Sequence, residues 1–164
     1  MKKKILILTG GFSKEREISL RTSRGVNREI KKKYITKICE PDGNLVPVES
    51  KHDIPFDIKR IFYVYGVQNQ DDRGKHAHHK TKQVLICLSG EVEVICDDGE
   101  HRKKYRLTKP HQAIYIPEMI WDEQRYITKD SVLLVLSSTY YDLNDYIEDY
   151  DTFIRIRKEN EKNR

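Results

Sequence analysis

Three histidines fall within four residues, at positions 76, 78 and 79 of the stretch "GKHAHHKTKQVLICLSG" (74–90). Imidazole titrates near neutral pH, so such groups can exchange protons with a substrate or bind a metal. On an extended strand His76 and His78 project to one face and His79 to the other. If the shared face lines a barrel interior, two imidazoles enter one cavity. The alternative is a pair of solvated or hydrogen-bonded strand histidines, and we interpret His79 as a surface residue.

The surrounding sequence has the pattern of an all-β domain. From about Ile35 onward, short apolar alternations are separated by turn residues at intervals of roughly eight to twelve positions, which is typical of a sandwich or barrel. Residues 5–8 predict a short strand, and the thin apolar stripe of residues 13–34 predicts a helix. The C-terminal segment is aromatic and acidic, then basic. It predicts a short helix that packs on the barrel and ends frayed.

The positive charge of the chain is concentrated at its N-terminus. Residues 1–37 contain twelve of the 31 Lys and Arg residues but only three of the 26 Asp and Glu residues. The remainder is therefore mildly acidic. A nucleic-acid-binding protein is expected to carry its positive charge on a folded face, so we expect no nucleic-acid partner and a solvated basic leader.

Two further features bear on the location of the protein. The apolar run "ILIL" (5–8) is too short for the roughly 7–15 residues of a signal-peptide core, and no window approaches the roughly 18 consecutive apolar residues of a membrane helix. The three cysteines, Cys39, Cys87 and Cys96, form no CxxC pair. We therefore expect a cytoplasmic protein without a membrane partner, with reduced thiols.

The histidine spacing resembles the first motif of the cupin family. In that motif HxH is followed by Glu and then, after six intervening residues, by Gly; here Gln83 takes the Glu position and Gly90 the Gly position. The second motif, Pro-x-Gly-x-x-His, corresponds to residues 117–122, with Asp122 in place of its His. Gln is a weak neutral ligand and one imidazole is missing. We therefore expect no metal and no cofactor, although two His and one carboxylate could still form an Fe(II) triad.

A longer resemblance is specific. The chain resembles the sugar-nucleotide 3,4-ketoisomerases, the dTDP-4-oxo-6-deoxyglucose 3,4-ketoisomerases of the WxcM-like cupin group. The residues that carry it are "GNLVPVE" (43–49), "FDIKRIFYVYG" (56–66), "RGKHAHHKTKQVLICLSGEVEV" (73–94), "YIP" and "WDE" (115–123), and "LLVLSSTYYDLNDYIEDYDTF" (133–153).

This resemblance implies an all-β cupin jelly-roll barrel, and a homodimer with exchanged strands. It implies conversion of dTDP-4-oxo-6-deoxyglucose to its 3-oxo isomer, within deoxyaminosugar and surface-glycan biosynthesis. The C3 hydrogen is acidic because it is α to the C4 ketone, so a base, an enediolate stabiliser and an acid are needed. We expect His76 and His78 to be the acid–base pair, with their individual roles open.

The neighbouring residues fit supporting roles. Arg60 and Arg73 are candidates for binding the diphosphate, because a guanidinium matches phosphate oxygens; either could instead be a surface ion-pair partner. Tyr63 is a candidate catalytic phenol and Tyr65 a candidate substrate contact, with barrel-core packing as the alternative for both. Gln83 is expected to bind a sugar hydroxyl.

Two candidates near residue 120 have open roles. Trp121 could stack on the sugar or thymine, or could simply close the barrel. Asp122 departs from the family, in which a His often follows that Trp. It could face solvent or bind substrate beside a histidine, whose pKa it would then tune.

The N-terminal residues 1–33 extend beyond the usual start of the family. The run "ILILTGGFSKEREISLRTS" (5–23) resembles the start of D-alanine–D-alanine ligases, but about twenty residues cannot build that active site. We expect three parts: a basic strand–helix extension (1–33), a cupin ketoisomerase domain (34–158) and a frayed tail (159–164). Rival functions are a 3,5-epimerase-type cupin, a metal-dependent cupin oxygenase and a non-catalytic sugar-nucleotide-binding module.

Overall fold

The computed structural model describes residues 30–68 and 72–162, the last two of these for their backbone only. Within these ranges the chain is mostly extended. The elements in chain order are β1 (Lys31–Tyr34), β2 (Ile38–Glu40), β3 (Gly43–Leu45), β4 (Arg60–Tyr65), β5 (Asp72–His78), β6 (Gln83–Ser89), β7 (Val92–Asp97), β8 (Arg102–Leu107), β9 (Gln112–Ile116), β10 (Trp121–Tyr126), β11 (Val132–Ser137), a 3₁₀ turn (Leu143–Asp145), β12 (Tyr146–Ile147) and α1 (Tyr150–Lys162).

The strands form two antiparallel sheets of five strands. The first sheet has the order β1-β9-β6-β11-β4 and the second the order β12-β5-β10-β7-β8, while β2 and β3 pair as a separate hairpin. Alternate residues of both sheets meet in one apolar core, which includes Leu85, Val94, Ile114 and Leu133. The all-β class and the C-terminal helix are therefore confirmed.

The predicted helix over residues 13–34 is wrong at its C-terminal end. Lys31–Tyr34 is strand β1, which pairs with β9 from Lys31 opposite Tyr115 to Tyr34 opposite Gln112. Backbone pairing at the sheet edge outweighs a thin apolar stripe, which is a weak local preference. The rest of that helix and the predicted strand at 5–8 lie outside the described residues.

Helix α1 packs on the outer face of the second sheet. Its Phe153 is buried with Trp121 of β10 and Ala77 of β5. The helix continues to Lys162, past the point at which we expected the tail to fray. In the described parts of the chain, no helix has the length and apolar character needed to cross a membrane.

A β-bulge in β5 determines which residues of that strand face inward. The register between β10 and β5 shifts, so that Asp122 lies opposite His76 but Gln124 lies opposite Arg73. Gly74 and Lys75 both have positive φ angles, of 76° and 58°. Positions 73 and 76 would lie on opposite faces of a regular strand; the extra residue brings Arg73 onto the same face as His76.

We predict that Gly74→Ala destabilises the fold. The new Cβ would lie 2.9 Å from the backbone oxygen of Asp122, on a residue whose φ is 76°. Strain of this kind costs about 1–3 kcal/mol. The measurement is the free energy of unfolding in denaturant. Gly43→Ala is the matched control, because its Cβ would meet nothing within 4 Å; equal stability of the two variants would contradict the prediction.

Candidate active site

A polar layer lies at one end of the apolar core, where both sheets point polar side chains inward. The inward-facing row of the first sheet crosses β4, β11 and β6 through Arg60, Ser137 and Gln83, which are register partners. Opposite this row, β5 contributes His76 and His78. The structure therefore brings together four of the residues that the sequence singled out, from distant parts of the chain.

His78 lies at the centre of this layer and is only 5% exposed. Its Nδ1 lies 3.0 Å from Oδ2 of Asp145, and its Nε2 lies 3.2 Å from Nε2 of Gln83. A carboxylate can only accept, so Nδ1 carries the proton and donates it to Asp145. Nε2 then holds the lone pair and accepts from the Gln83 amide. This is the tautomer that a general base requires.

Asp145 was missed as a site residue by sequence reasoning, although it lies in the quoted run "DYIEDYD". Its carboxylate also accepts from the backbone N–H groups of Lys80 (2.8 Å) and Thr81 (3.2 Å) and from the Thr81 hydroxyl. Burial works against its ionisation, but these donors and His78 outweigh it and lower the pKa of Asp145. Only the position of the 3₁₀ turn beside β5 reveals this role.

The surroundings of His78 favour the neutral imidazole. Burial is the main cause, and the neighbouring His76 adds to it; Asp145 opposes both, and the net effect lowers the pKa of His78 to about 4. At neutral pH the group is therefore an unprotonated base. The Asp145 carboxylate is placed to stabilise the imidazolium that forms when the base accepts a proton.

His76 and Tyr146 complete an aromatic cluster around His78. The rings of His76 and His78 meet edge to face with centroids 4.9 Å apart. Tyr146, on the short edge strand β12, packs against both, at 5.0 and 4.4 Å. His76 is half-buried and so is more accessible than His78. The prediction that these two histidines share an inward face agrees with the structure, and their catalytic roles remain a proposal.

Asp122 faces inward and is almost completely buried, not solvated. It lies opposite His76 in the β5–β10 register, and its Oδ2 accepts from the Gln124 amide at 2.8 Å. Burial raises the pKa of Asp122, while the charge of His76 and the Gln124 hydrogen bond oppose that rise. Asp122 therefore belongs to the wall behind His76.

The two candidate arginines occupy different positions. Arg60 is half-buried, with its guanidinium carbon 5.2 Å from the ring centroid of Phe62 and 5.4 Å from that of Tyr141. It is close enough to contribute to the lowered pKa of His78. Arg73 is exposed, further along β5 on the same inward face.

Three candidates are not brought to the histidines. Tyr63 and Tyr65 are 64% and 68% exposed, on the outer face of β4, because Phe62 and Val64 take the inward positions. Trp121 faces the other side of the second sheet, with its ring edge to face against Tyr150 of α1. This placement agrees with the packing alternative for Trp121. Alternation along β4 and β10 separates these side chains from the neighbouring inward ones.

Met119 occupies the position at which the cupin motif has glycine. Its φ angle is 58°, in the left-handed region that favours glycine, yet its side chain is buried beneath α1. Its backbone N–H donates to the carbonyl of His78 at 2.7 Å. The chain thus keeps the backbone geometry of the motif without its glycine, and this turn holds β5 at His78.

Two surface cavities have linings that include neither His76 nor His78. The larger, of about 370 Å³, is bounded by β1, β9 and the 51–55 loop on the outer side of the first sheet. The other, of about 290 Å³, is lined by His79 and Asp142 and also by Asp145, the hydrogen-bond partner of His78. His79 is exposed, as we expected.

Comparison with known proteins identifies the family. Residues 28–158 match the family model described as "FdtA: WxcM-like, C-terminal". The chain belongs to this family. It is 42% identical over 117 residues to the TDP-4-oxo-6-deoxy-α-D-glucose-3,4-oxoisomerase of Aneurinibacillus thermoaerophilus, covering 71% of this chain and 84% of that protein.

A solved structure of the same kind supports the fold. The sugar 3,4-ketoisomerase QdtA of Thermoanaerobacterium thermosaccharolyticum, in complex with TDP, aligns with a TM-score of 0.78 and 39% identity, over 83% of this chain and 98% of that one. A variant of QdtA was solved in complex with TDP-4-keto-6-deoxyglucose. The predicted cupin jelly-roll and the resemblance to 3,4-ketoisomerases are confirmed.

A D-alanine–D-alanine ligase of Pelagibacter ubique is also similar, at 42% identity over 106 residues. That match covers 63% of this chain but only 34% of the ligase. The ligase-like run at residues 5–23 lies outside the described residues.

The donor set of this WxcM-like chain suits proton transfer better than metal binding. Gln83 presents its amide to His78, and the nearest carboxylates, Asp122 and Asp145, are already held by hydrogen bonds. Among the described residues, a group of ligand atoms all within 4.8 Å of one another is found at Glu49, His52 and Asp53, on a loop remote from His78.

We predict that acid weakens the fold through His78. Its folded pKa is about 4, below the ordinary 6.5, so the unfolded chain binds more protons between these values. Stability is therefore complete above about pH 6.5 and falls as the pH decreases toward 4, by about 3 kcal/mol from this residue. The measurement is the free energy of unfolding between pH 7 and 4.

Two variants isolate this contribution. His78→Asn, which cannot titrate, should lose less stability than the wild type over the same range. His79→Asn changes an exposed histidine next to it and should behave as the wild type does. Parallel curves for the wild type and His78→Asn would contradict the prediction.

Proposed function

We propose that the chain is a 3,4-ketoisomerase that converts a dTDP-4-oxo-6-deoxyhexose into the 3-oxo isomer. The observation that carries this proposal is the buried, neutral His78, with Nδ1 held by Asp145 and Nε2 facing the polar layer. The oxoisomerase relative acts on a TDP-4-oxo sugar, and the QdtA variant was solved in complex with one. Its chemistry needs such a base.

In this proposal His78 Nε2 removes the C3 proton. The Gln83 amide, which donates to Nε2 in the free protein, turns to a sugar oxygen when substrate enters. The imidazolium is stabilised by the Asp145 carboxylate, which stays ionised because several donors hold it. The proton is returned at C4, and His76 is the partner that relays protons between the sugar hydroxyls and His78.

Substrate binding is divided along the inward face of β5. The sugar lies against His76, His78 and Gln83. Arg73, which is exposed and on the same face, binds the diphosphate, since a guanidinium matches phosphate oxygens in geometry and charge. The bulge at Gly74 is what permits one strand to contact both parts of the substrate.

Location and pathway follow from the same chemistry. Cys39, Cys87 and Cys96 are free thiols, two of them buried in the core, which suits a reducing compartment; we place the enzyme in the cytoplasm. A ketone at C3 is the functional group that an amination reaction requires. The product is therefore suited to formation of a 3-amino deoxysugar for a surface glycan.

A homodimer is part of the proposal. Edge strand β4 presents a row of large exposed side chains, Ile61, Tyr63 and Tyr65, which favours association. Strand β1, at the other edge of the sheet, has all four side chains exposed and is the candidate for exchange between subunits. Light scattering is expected to give the mass of two chains, and Tyr63→Lys should shift it toward one; a monomeric wild type would contradict this.

We predict isotope exchange that depends on His78 and Asp145. Incubated with dTDP-4-oxo-6-deoxyglucose in D2O, the wild type should give a 3-oxo product with deuterium at C4 and recovered 4-oxo substrate with deuterium at C3, both read by NMR. His78→Asn should abolish both while dTDP still binds. Asp145→Asn should lower kcat by about 10²–10⁴-fold, because the tautomer and the imidazolium lose their support.

Matched controls accompany both variants. His79→Asn and Asp142→Asn alter nearby exposed residues and should retain wild-type turnover. Label at C5 would indicate a 3,5-epimerase instead, and dTDP binding without turnover would indicate a binding module. Loss of activity on chelation, with stoichiometric iron in the purified protein, would overturn the metal-free mechanism.

A further inference from the structure

Ser137 is a buried residue whose polar atom has no partner. It ends strand β11 with 0% exposure, and its Oγ makes no hydrogen bond to the described residues. Leaving a buried hydroxyl unpaired costs about 1–3 kcal/mol. Its inward neighbours on β11, Leu133 and Val135, are apolar, so an apolar residue would satisfy the packing. The hydroxyl therefore has a use other than packing.

The neighbours of Ser137 show what that use is. Ser137 pairs in register with Arg60 on one side and with Gln83 on the other, so the three side chains share one face. Side chains paired in this way have Cβ atoms about 4.5–5.5 Å apart. The Nε–H of Arg60 is also buried without a hydrogen-bond partner among the described residues. Two unpaired donors thus lie side by side next to the histidine site.

Charge favours the same conclusion. Arg60 is close enough to His78 to help keep that imidazole neutral. Its guanidinium contacts the rings of Phe62 and Tyr141, and these contacts favour one position of the side chain. A fixed cation and a hydroxyl, in a layer largely shielded from water, suit an oxygen that becomes negative during a reaction.

We propose that the Ser137 hydroxyl and the Arg60 Nε–H together bind the C4 oxygen of the sugar and stabilise the enediolate. This rests on the proposed ketoisomerase function and assigns Ser137, which neither the sequence motifs nor the histidine geometry indicated. It also moves Arg60 from the diphosphate to the reacting sugar and leaves Arg73 with the diphosphate.

The proton and electron balance is complete without a further reagent. His78 takes the C3 proton, the C3–H electron pair forms the C3=C4 bond, and the C4=O π pair moves to the oxygen held by Ser137 and Arg60. The O3 proton passes to O4, the C3–O3 carbonyl forms, and His78 returns a proton to C4. The net change is the exchange of a ketone and a carbinol.

The test compares two buried serines. Ser131 is 2% exposed and fully engaged: its Oγ donates to the backbone oxygen of Glu91 at 2.8 Å and accepts from the N–H of Glu91 at 3.2 Å. It lies in the turn before β11, at the opposite end of that strand from Ser137. Ser137→Ala therefore removes a hydroxyl without a hydrogen-bond partner among the described residues, whereas Ser131→Ala removes one that is hydrogen-bonded.

We expect the two variants to respond in opposite ways. Ser137→Ala should unfold at the same or a higher denaturant concentration than the wild type, and its kcat for the 4-oxo sugar should fall by about 10²-fold with dTDP affinity unchanged. Ser131→Ala should lose stability and keep kcat. The readouts are denaturant unfolding, dTDP calorimetry and the NMR exchange assay.

Each other result overturns the inference. Wild-type kcat in Ser137→Ala refutes the role of the hydroxyl and leaves the ketoisomerase function intact. A change confined to dTDP affinity places the hydroxyl on the nucleotide. Lost stability with unchanged chemistry makes Ser137 a structural residue. Absence of turnover in the wild type refutes the proposed function and this inference together.

Discussion

The hydrogen bond between His78 and Asp145 is the interaction on which the site depends. It joins strand β5 to a turn 67 residues later in the chain and fixes the imidazole tautomer. The same carboxylate caps the backbone of the turn that follows β5, through Lys80 and Thr81. Asp145 therefore orients the base and also fixes the turn after β5. Both roles require a buried, ionised carboxylate.

The buried His78 and the strained backbone near it are stabilised by neighbouring parts of the fold. Protonation of the buried His78 lowers the stability of the folded protein. Burial is the largest cause of the low pKa of this residue. Two backbone positions with positive φ, Gly74 and Met119, hold the strand that carries it. Met119 keeps this conformation although it is not glycine, because its side chain is buried under α1 and its N–H binds His78. Helix packing thereby supports the active-site strand.

Neutral groups line the wall of this cupin beside His78, and one of them, Gln83, occupies the position at which a metal-binding member of the fold has Glu. Gln83 presents an amide to His78, and Ser137 presents a hydroxyl beside it. A second negative charge here would oppose formation of an enediolate, whereas uncharged donors and one fixed guanidinium stabilise it. The proposed chemistry and the polarity of the wall are therefore consistent.

Several features were determined by the sequence alone. Alternating apolar residues, separated by turn residues at regular intervals, predicted the all-β class, since a half-buried strand has a two-residue period. The HxH spacing placed His76 and His78 on one face, and the cupin motif aligned Gln83 with the position that carries Glu in metal-binding members. The family followed from quoted motifs that cover much of residues 43–153. All of these features follow from the spacing of residues along the chain, which does not depend on tertiary contacts.

Other features were decided only by the tertiary structure. The pairing of Lys31–Tyr34 with β9 replaced a predicted helix end, because a sheet edge supplies hydrogen bonds that no local pattern reveals. The inward or outward direction of Arg73 depends on a bulge, and that of Tyr63 and Tyr65 on which face of β4 meets the core. Asp145 and Ser137 belong to the site through contacts and register across distant strands. Spacing along the chain cannot show such neighbours, because they are defined by packing.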